Sequence, residues 1–127
     1  MLNPDLVGRT FKGATSTTIT AEAITAFARA LGEVDTHFAP PTFGITISLD
    51  QSQAVLVESG LDWSRVVHGD QRFLVNKVLI AGEEVTCDST IESARVIAGN
   101  EIITVRSDLI TEGEVAQSCW STLVFRA

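Results

Sequence analysis

The chain has 127 residues, of which 45% are hydrophobic, and nine basic against sixteen acidic side chains give it a net charge of −7. This length predicts one domain, and the hydrophobic content excludes a disordered chain. The negative charge repels a phosphate backbone and an anionic bilayer, so we expect neither nucleic acid nor membrane as a partner. No apolar run is long enough to span a bilayer and the start lacks the features of a signal peptide. With only two cysteines, we expect a soluble cytoplasmic protein whose thiols are reduced.

The first half of the chain predicts one strand and two helices. Threonine-rich residues 11–20 predict a strand that ends at Thr20, which is a suitable N-cap for a helix. Apolar residues then recur every three or four positions over 21–31, which predicts an amphipathic helix closed by Gly32. Residues 44–60 predict a short extended piece, because apolar residues first alternate, followed by a mostly buried helix.

The second half predicts an antiparallel sheet. Residues 66–78 read as one strand, and the next strand turns Val85, Cys87, Ser89 and Ile91 toward the core. The alternation then changes parity, which predicts a bulge within residues 92–95. Two further strands follow, each after a glycine-containing turn. The order of these elements predicts an α+β fold in which a curved antiparallel sheet wraps a central helix.

Three segments are specific enough to suggest a family. They are APPTF at residues 39–43, LDWSRVV at 61–67 and HGDQRF at 68–73. With matching features near both termini, they resemble the MaoC-like dehydratase N-terminal domain family, which is also described as FAS1-like. The likeness is greatest to the non-catalytic type of subunit in actinobacterial (3R)-hydroxyacyl-ACP dehydratases. The resemblance implies one hot-dog domain over residues 1–127.

The same resemblance implies a function. It implies an accessory, dehydratase-like subunit that acts on or binds (3R)-hydroxyacyl or enoyl thioesters of ACP or CoA, with no cofactor. It also implies assembly as a homodimer, or as a heterodimer with a MaoC-type subunit that supplies a catalytic Asp and His. Two alternatives stay open: a self-sufficient hot-dog hydratase or thioesterase, and a non-catalytic dimer that binds an acyl ligand.

The sequence departs from the family just before Pro40. A segment that helps to cover the acyl tunnel in the family is missing here, which puts the accepted chain length in question. Dehydration needs a base at the α-carbon and an acid at the leaving hydroxyl. The family's motif is Asp-x4-His, whereas this loop offers only Glu33, Asp35 and His37 at other spacings. We therefore assign no catalytic residue. The alternative to an acid–base pair here is a short loop whose polar side chains are simply solvated.

Residues 68–73 supply most of the candidate ligand contacts. On a regular strand His68, Asp70 and Arg72 would share a face, and Gln71 would point the other way. Two interpretations are open for that face. In the first, His68 contacts a thioester or a partner and Arg72 contacts a phosphate of the pantetheine arm. In the second, the three side chains form an ion-pair network at a dimer seam.

Phe43 completes the candidate substrate-binding set of Phe43, His68, Asp70, Gln71 and Arg72. The two prolines at 40 and 41 stiffen the chain before it. If a helix starts directly after Phe43, its free N–H groups could hold a thioester oxygen, and a plain turn is the alternative. The spacing of His and Cys residues matches no metal site, and we expect Cys87 and Cys119 to be small apolar core residues.

Overall fold

The computed structural model describes all residues, 1–127. Two short 3₁₀ turns, Pro4–Leu6 and Trp63–Arg65, precede the first strand and the third. The regular elements, in chain order, are β1 (Thr10–Phe11), β2 (Thr17–Thr18), α1 (Ala21–Ala30), α2 (Ile45–Glu58), β3 (Val66–Val75), β4 (Glu84–Ile97), β5 (Asn100–Thr111) and β6 (Glu114–Phe125). No helix is long and apolar enough to cross a membrane.

The strands form one antiparallel sheet in the order β1-β4-β5-β6-β3, with β2 also paired to β4. Helix α2 lies against β4, β5 and β6, so that it occupies the centre of the inner face. Strand β3 pairs only with β6 and therefore forms an edge of the sheet. The α+β arrangement of a sheet around one central helix is confirmed.

The core consists of two apolar clusters. One surrounds Phe43 near the start of α2, and the other surrounds Leu56 near its end. Between them, buried serines link the helix to the sheet: Ser52 Oγ lies 3.3 Å from Ser107 Oγ, which lies 2.9 Å from Ser89 Oγ. Side-chain hydroxyls therefore occupy the middle of a core in which hydrocarbon would be the usual filling.

Helix α1 begins at Ala21 as predicted and ends at Ala30, one residue before the predicted end. The hydroxyl of Thr20 accepts a hydrogen bond from the Ala23 N–H at 3.1 Å, which satisfies one free donor of the first turn. At the other end Gly32 has a φ of +79°, and the Glu33 N–H donates to Ala28 O at 2.9 Å. This is the left-handed helix cap that glycine favours.

Two predicted elements were wrong in part. Residues 11–20 form only β1 and β2, because the chain between them leaves the ladder where the Gly13 N–H donates to Asp88 Oδ1. The extended piece predicted at the start of 44–60 is absent, and α2 begins directly at Ile45. The alternation there was misleading because Ser48 and Ser52, rather than the isoleucines, occupy the fully buried helix face.

The sheet otherwise follows the prediction. The bulge lies between Ile91 and Ser93, at the start of the predicted interval. Strand β3 stops at Val75 rather than at residue 78, because the next two N–H groups both turn to Ala116 O. The loop that follows is held by Glu83, whose carboxylate accepts hydrogen bonds from Lys77 Nζ and the Ile80 N–H, each at 2.8 Å.

Candidate functional site

The start of α2 is built by a tight turn. The Phe43 N–H donates to Pro40 O at 2.9 Å, and the Ile45 N–H donates to Thr42 O at 3.1 Å. Gly44, the residue that caps the helix, has an N–H with no acceptor in the protein. A helix therefore does start close after Phe43, at Ile45 with Gly44 as its N-cap, and it leaves one unpaired donor at its positive end.

Phe43 fixes this turn in place. Its ring is 4% exposed and meets the Phe27 ring edge-to-face, with centroids 5.5 Å apart. This contact joins α1 to the first turn of α2 within the apolar cluster. Phe43 is thus a packing anchor whose backbone leads to the unpaired Gly44 donor.

Gly44 is in close contact with β6. A Cβ on Gly44 would collide with Gln117 Oε1 and would stand 2.8 Å from Leu109 Cδ1. Its φ of −58° is ordinary helical backbone, so a Cβ there is opposed by the ends of the Gln117 and Leu109 side chains and not by the backbone conformation. The Gln117 side chain is 1% exposed, and its Oε1 has no hydrogen-bond partner in the protein.

A cleft of about 350 Å³ opens beside this turn. Phe43, Thr46, Ile47 and Cys87 line it together with threonine hydroxyls from residues 15–20. Asp50 is its only charged side chain, so the cleft holds no cation to attract a phosphate. Its mixture of hydroxyls and apolar surface suits a neutral, partly apolar ligand.

The prediction that His68, Asp70 and Arg72 share a face was wrong. The register of β3 on β6 shifts between His68 and Asp70, which is a bulge at Gly69. His68 therefore pairs with Leu123 on the inner face, whereas Arg72 pairs with Trp120 on the outer face. Asp70 is outward with Arg72, opposite Thr122, and Gln71 is inward with His68, opposite Ser121.

The predicted ion-pair network is also absent from the chain. The Arg72 guanidinium stacks over the Trp120 ring, 4.3 Å from its centroid, and forms no salt bridge with Asp70. The His68 Nε2–H donates to the Asp70 backbone carbonyl at 3.1 Å. Gln71 Oε1 accepts from Ser121 Oγ at 2.7 Å. His68, Asp70 and Arg72 are exposed and Gln71 is half-buried, so this edge is open to a partner.

The loop after α1 holds no acid–base pair. Glu33, Asp35 and His37 are all exposed. The Asp35 carboxylate accepts a hydrogen bond from the His37 backbone N–H at 2.9 Å, which is a local turn and not a contact with the imidazole. The structure thus agrees with the solvated-loop interpretation of this segment.

The two thiols are core residues, as predicted. Burial raises the pKa of Cys87 to about 11, and it does the same for Cys119. A thiol with such a pKa is protonated near neutral pH and is a poor nucleophile. The buried, protonated thiols of Cys87 and Cys119 therefore do not support a Cys–His hydrolase.

Gly44 and Gln117 are absent from the sequence-based set of site residues. For Gln117 the signal was present, because it lies at an inward position of the last strand, two residues before buried Cys119. A polar residue at a core position is informative. Nothing in the sequence, however, indicates that it meets the start of α2.

The FAS1-like dehydratase domain model matches residues 34–117. A UPF0336 protein of Streptomyces coelicolor is 35% identical over 144 aligned positions, which cover 99% of this chain and 96% of that protein. The chain belongs to the FAS1-like dehydratase family. A UPF0336 protein of Thermobifida fusca is 34% identical over 98% of the chain and 94% of its own length.

Solved structures show that the family's fold is the hot-dog fold. A MaoC-like dehydratase superposes with a TM-score of 0.86 at 20% identity over 96% of this chain, which spans only 42% of that protein. A truncated HadBC (3R)-hydroxyacyl-ACP dehydratase complex of Mycobacterium tuberculosis gives a TM-score of 0.78 at 24% identity, over 97% of this chain and 99% of that one. The predicted hot-dog fold is thereby confirmed.

This member of the FAS1-like dehydratase family is shorter than its Streptomyces relative. About 126 residues, 99% of the chain, align over 144 positions, so about 18 positions have no residue here. This shortfall agrees with the expected loss of a segment. In the structure residues 31–44 connect α1 to α2 without a helix or strand between them. The start of α2 is reached by a short connection in this chain.

Proposed function

We propose that this chain is an accessory subunit of a (3R)-hydroxyacyl dehydratase, made of one hot-dog domain over residues 1–127, working in the cytoplasm. It binds the hydroxyacyl or enoyl thioester, carried by ACP or CoA, and a MaoC-type partner supplies the Asp and the His. The observation that carries the proposal is the contrast between two places. The loop after α1 holds no acid–base pair, whereas Gly44 offers an unpaired donor at a helix start.

The start of α2 supports thioester binding. An N–H at the positive end of a helix stabilises a carbonyl oxygen that gains negative charge when a proton leaves the α-carbon. In the proposal the Gly44 N–H holds that oxygen, and Phe43 anchors the turn that carries it. The absence of cations from the adjacent cleft agrees with a neutral acyl group there.

The edge strand supports assembly. Strand β3 is ten residues long and pairs only with β6. The backbone groups along its other edge are therefore free to pair with a second chain. Apolar Val67, Leu74 and Val75 are exposed along it. In the proposal the two chains meet along β3, which forms the seam. His68 and Gln71 lie on the inner face of the sheet, toward the ligand, and Asp70 and Arg72 lie on the outer face.

Activity measurements test this proposal. The purified protein is assayed for hydration of crotonyl-CoA alone and after co-expression with a MaoC-type subunit from the same genome. We expect no turnover alone and turnover with the partner. In the complex, His37→Ala should leave the rate unchanged, because His37 is exposed and its imidazole pairs with no carboxylate of the loop.

Two results would contradict the accessory role. Turnover by the chain alone that His37→Ala abolishes and His68→Ala preserves would show a self-sufficient enzyme. No turnover with any partner, together with a melting temperature raised by an acyl ligand, would show a binding dimer.

A further inference from the structure

The side chains of β3 are arranged symmetrically about Gln71. Gly69 is the extra residue of the bulge, so it takes no place in the pairing order of the strand. Counted outward from Gln71, each direction then gives first a charged residue, next a ring and then two apolar residues. The matching positions are Asp70 and Arg72, His68 and Phe73, Val67 and Leu74, and Val66 and Val75. The two members of each pair lie on the same face of the sheet, because they are equally far from Gln71.

A strand with this order is complementary to an antiparallel copy of itself. When two copies pair with Gln71 opposite Gln71, each Asp70 lies opposite the Arg72 of the other copy. Each apolar side chain then meets an apolar side chain, and each imidazole meets a phenyl ring. Opposite charges and apolar side chains that face each other across two strands stabilise a sheet.

The groups that this pairing uses are free and accessible in the chain. Neither Asp70 nor Arg72 forms a salt bridge within the chain, and both are exposed. The Arg72 guanidinium lies over the Trp120 ring, and a stacked guanidinium still donates to a carboxylate from its edges. On the same face Val67 is 47% exposed and Leu74 is 52% exposed. A second strand along this edge would therefore cover apolar surface and neutralise two unpaired charges.

The two charges also select the register. A shift of one copy by two residues along the other places either Arg72 opposite Arg72 or Asp70 opposite Asp70, depending on its direction. Like charges directly opposite each other destabilise a strand pair. A shift by one residue places the inner face of one copy beside the outer face of the other. Pairing about Gln71 is the register that avoids both faults.

We infer that β3 pairs with β3 of a second copy of this chain, antiparallel and with Gln71 opposite Gln71. The inference goes beyond the proposed function, which places a MaoC-type subunit at the same edge. Because one strand edge accommodates one further strand, that subunit has to displace the second copy. The self-paired dimer is therefore a form of the chain that competes with the catalytic assembly.

Charge variants test the inference by sedimentation equilibrium on the chain alone. We expect the wild-type chain to be a dimer. Arg72→Asp sets carboxylates opposite each other and Asp70→Arg sets guanidinium groups opposite each other, at two places in each dimer. Each variant should therefore dimerise at least about tenfold more weakly. An equimolar mixture of the two variants restores both ion pairs and should dimerise like the wild-type chain.

The control is Arg95→Asp, which makes the same change of charge at an exposed position of β4 and should leave the dimer unchanged. Circular dichroism checks that each variant is folded, and Arg72→Glu replaces Arg72→Asp if the latter does not fold.

The contrary outcomes separate this inference from the proposed function. A wild-type chain that stays monomeric overturns the inference, and turnover by that monomer with a MaoC-type partner would leave the proposed function standing. A dimer that both charge variants leave intact forms at another surface or in another register, which also overturns the inference. If the variants behave as expected here but no partner gives turnover, the proposed function alone fails.

Discussion

The two halves of the family resemblance lie in opposite environments. Residues 39–43 end in a buried turn, where Phe43 packs against Phe27 and leads into α2. Residues 68–73 lie on an edge strand, where His68 and Arg72 are exposed on opposite faces. The first segment shapes the interior of the chain, and the second is available to another chain.

The difference shows how the two segments respond to change. A buried side chain contributes through apolar surface removed from water, so its loss is felt as stability. An exposed polar side chain contributes little to stability but can be decisive in association. The same substitution to alanine should therefore separate the two regions.

Phe43→Ala should have the largest effect on stability. Truncating a buried phenylalanine removes its transfer free energy and leaves a cavity beside Phe27, so we expect a loss of about 3 kcal/mol in the free energy of unfolding. Urea unfolding followed by circular dichroism measures it. The matched control is Phe38→Ala, whose ring is 51% exposed and should change stability by less than about 0.5 kcal/mol. If Phe43→Ala lowered the free energy of unfolding as little as Phe38→Ala, the turn before α2 would not be part of the core.

The sequence predicted the elements that follow strong local rules. The helix capped by Thr20 and Gly32 and the bulge after Ile91 are of this kind, because capping chemistry and alternation are visible over a few residues. The family resemblance then supplied the hot-dog fold. The start of α2 was missed because Ser48 and Ser52 occupy its buried face.

The site was harder to predict because it depends on contacts between distant residues. The bulge at Gly69 moves Arg72 to the face opposite His68. Gly69 itself is the signal that could have indicated this shift, because a glycine inside a strand often marks a bulge. Gly44 and Gln117 meet although 73 positions separate them in the sequence. Only the packing of α2 on β6 brings that donor and acceptor together.

Glu83, in the loop after β3, should make the free energy of unfolding depend on pH. Its effect should be smaller than that of Phe43 and larger than that of His68. Burial alone would raise the pKa of Glu83, but hydrogen bonds from Lys77 and the Ile80 N–H outweigh it and hold the pKa below its ordinary value of 4.5. A carboxyl group with a lowered pKa stabilises the fold above its unfolded pKa and ceases to do so as the pH falls below about 4.5. Glu83→Gln should remove about 1 kcal/mol at pH 7 and flatten the acid limb of a stability–pH curve.

The control for this loop is Glu112→Gln. Its exposed carboxylate lies 3.7 Å from the same Lys77 ammonium but receives no hydrogen bond. It should leave the acid limb unchanged. If both variants flatten the curve equally, the effect arises from the general charge around Lys77 and not from the bonds to Glu83.

His68→Ala should have the smallest effect on stability and the clearest effect on association. The imidazole is exposed and its one hydrogen bond, to the Asp70 carbonyl, lies at the surface, so we expect the free energy of unfolding to change by less than about 0.5 kcal/mol. Sedimentation equilibrium, with the MaoC-type partner where it is present, should show weaker assembly. A large fall in melting temperature with unchanged assembly would show that His68 supports the bulge at Gly69 and has no role at the seam, which would remove the contrast between the buried turn and the open edge.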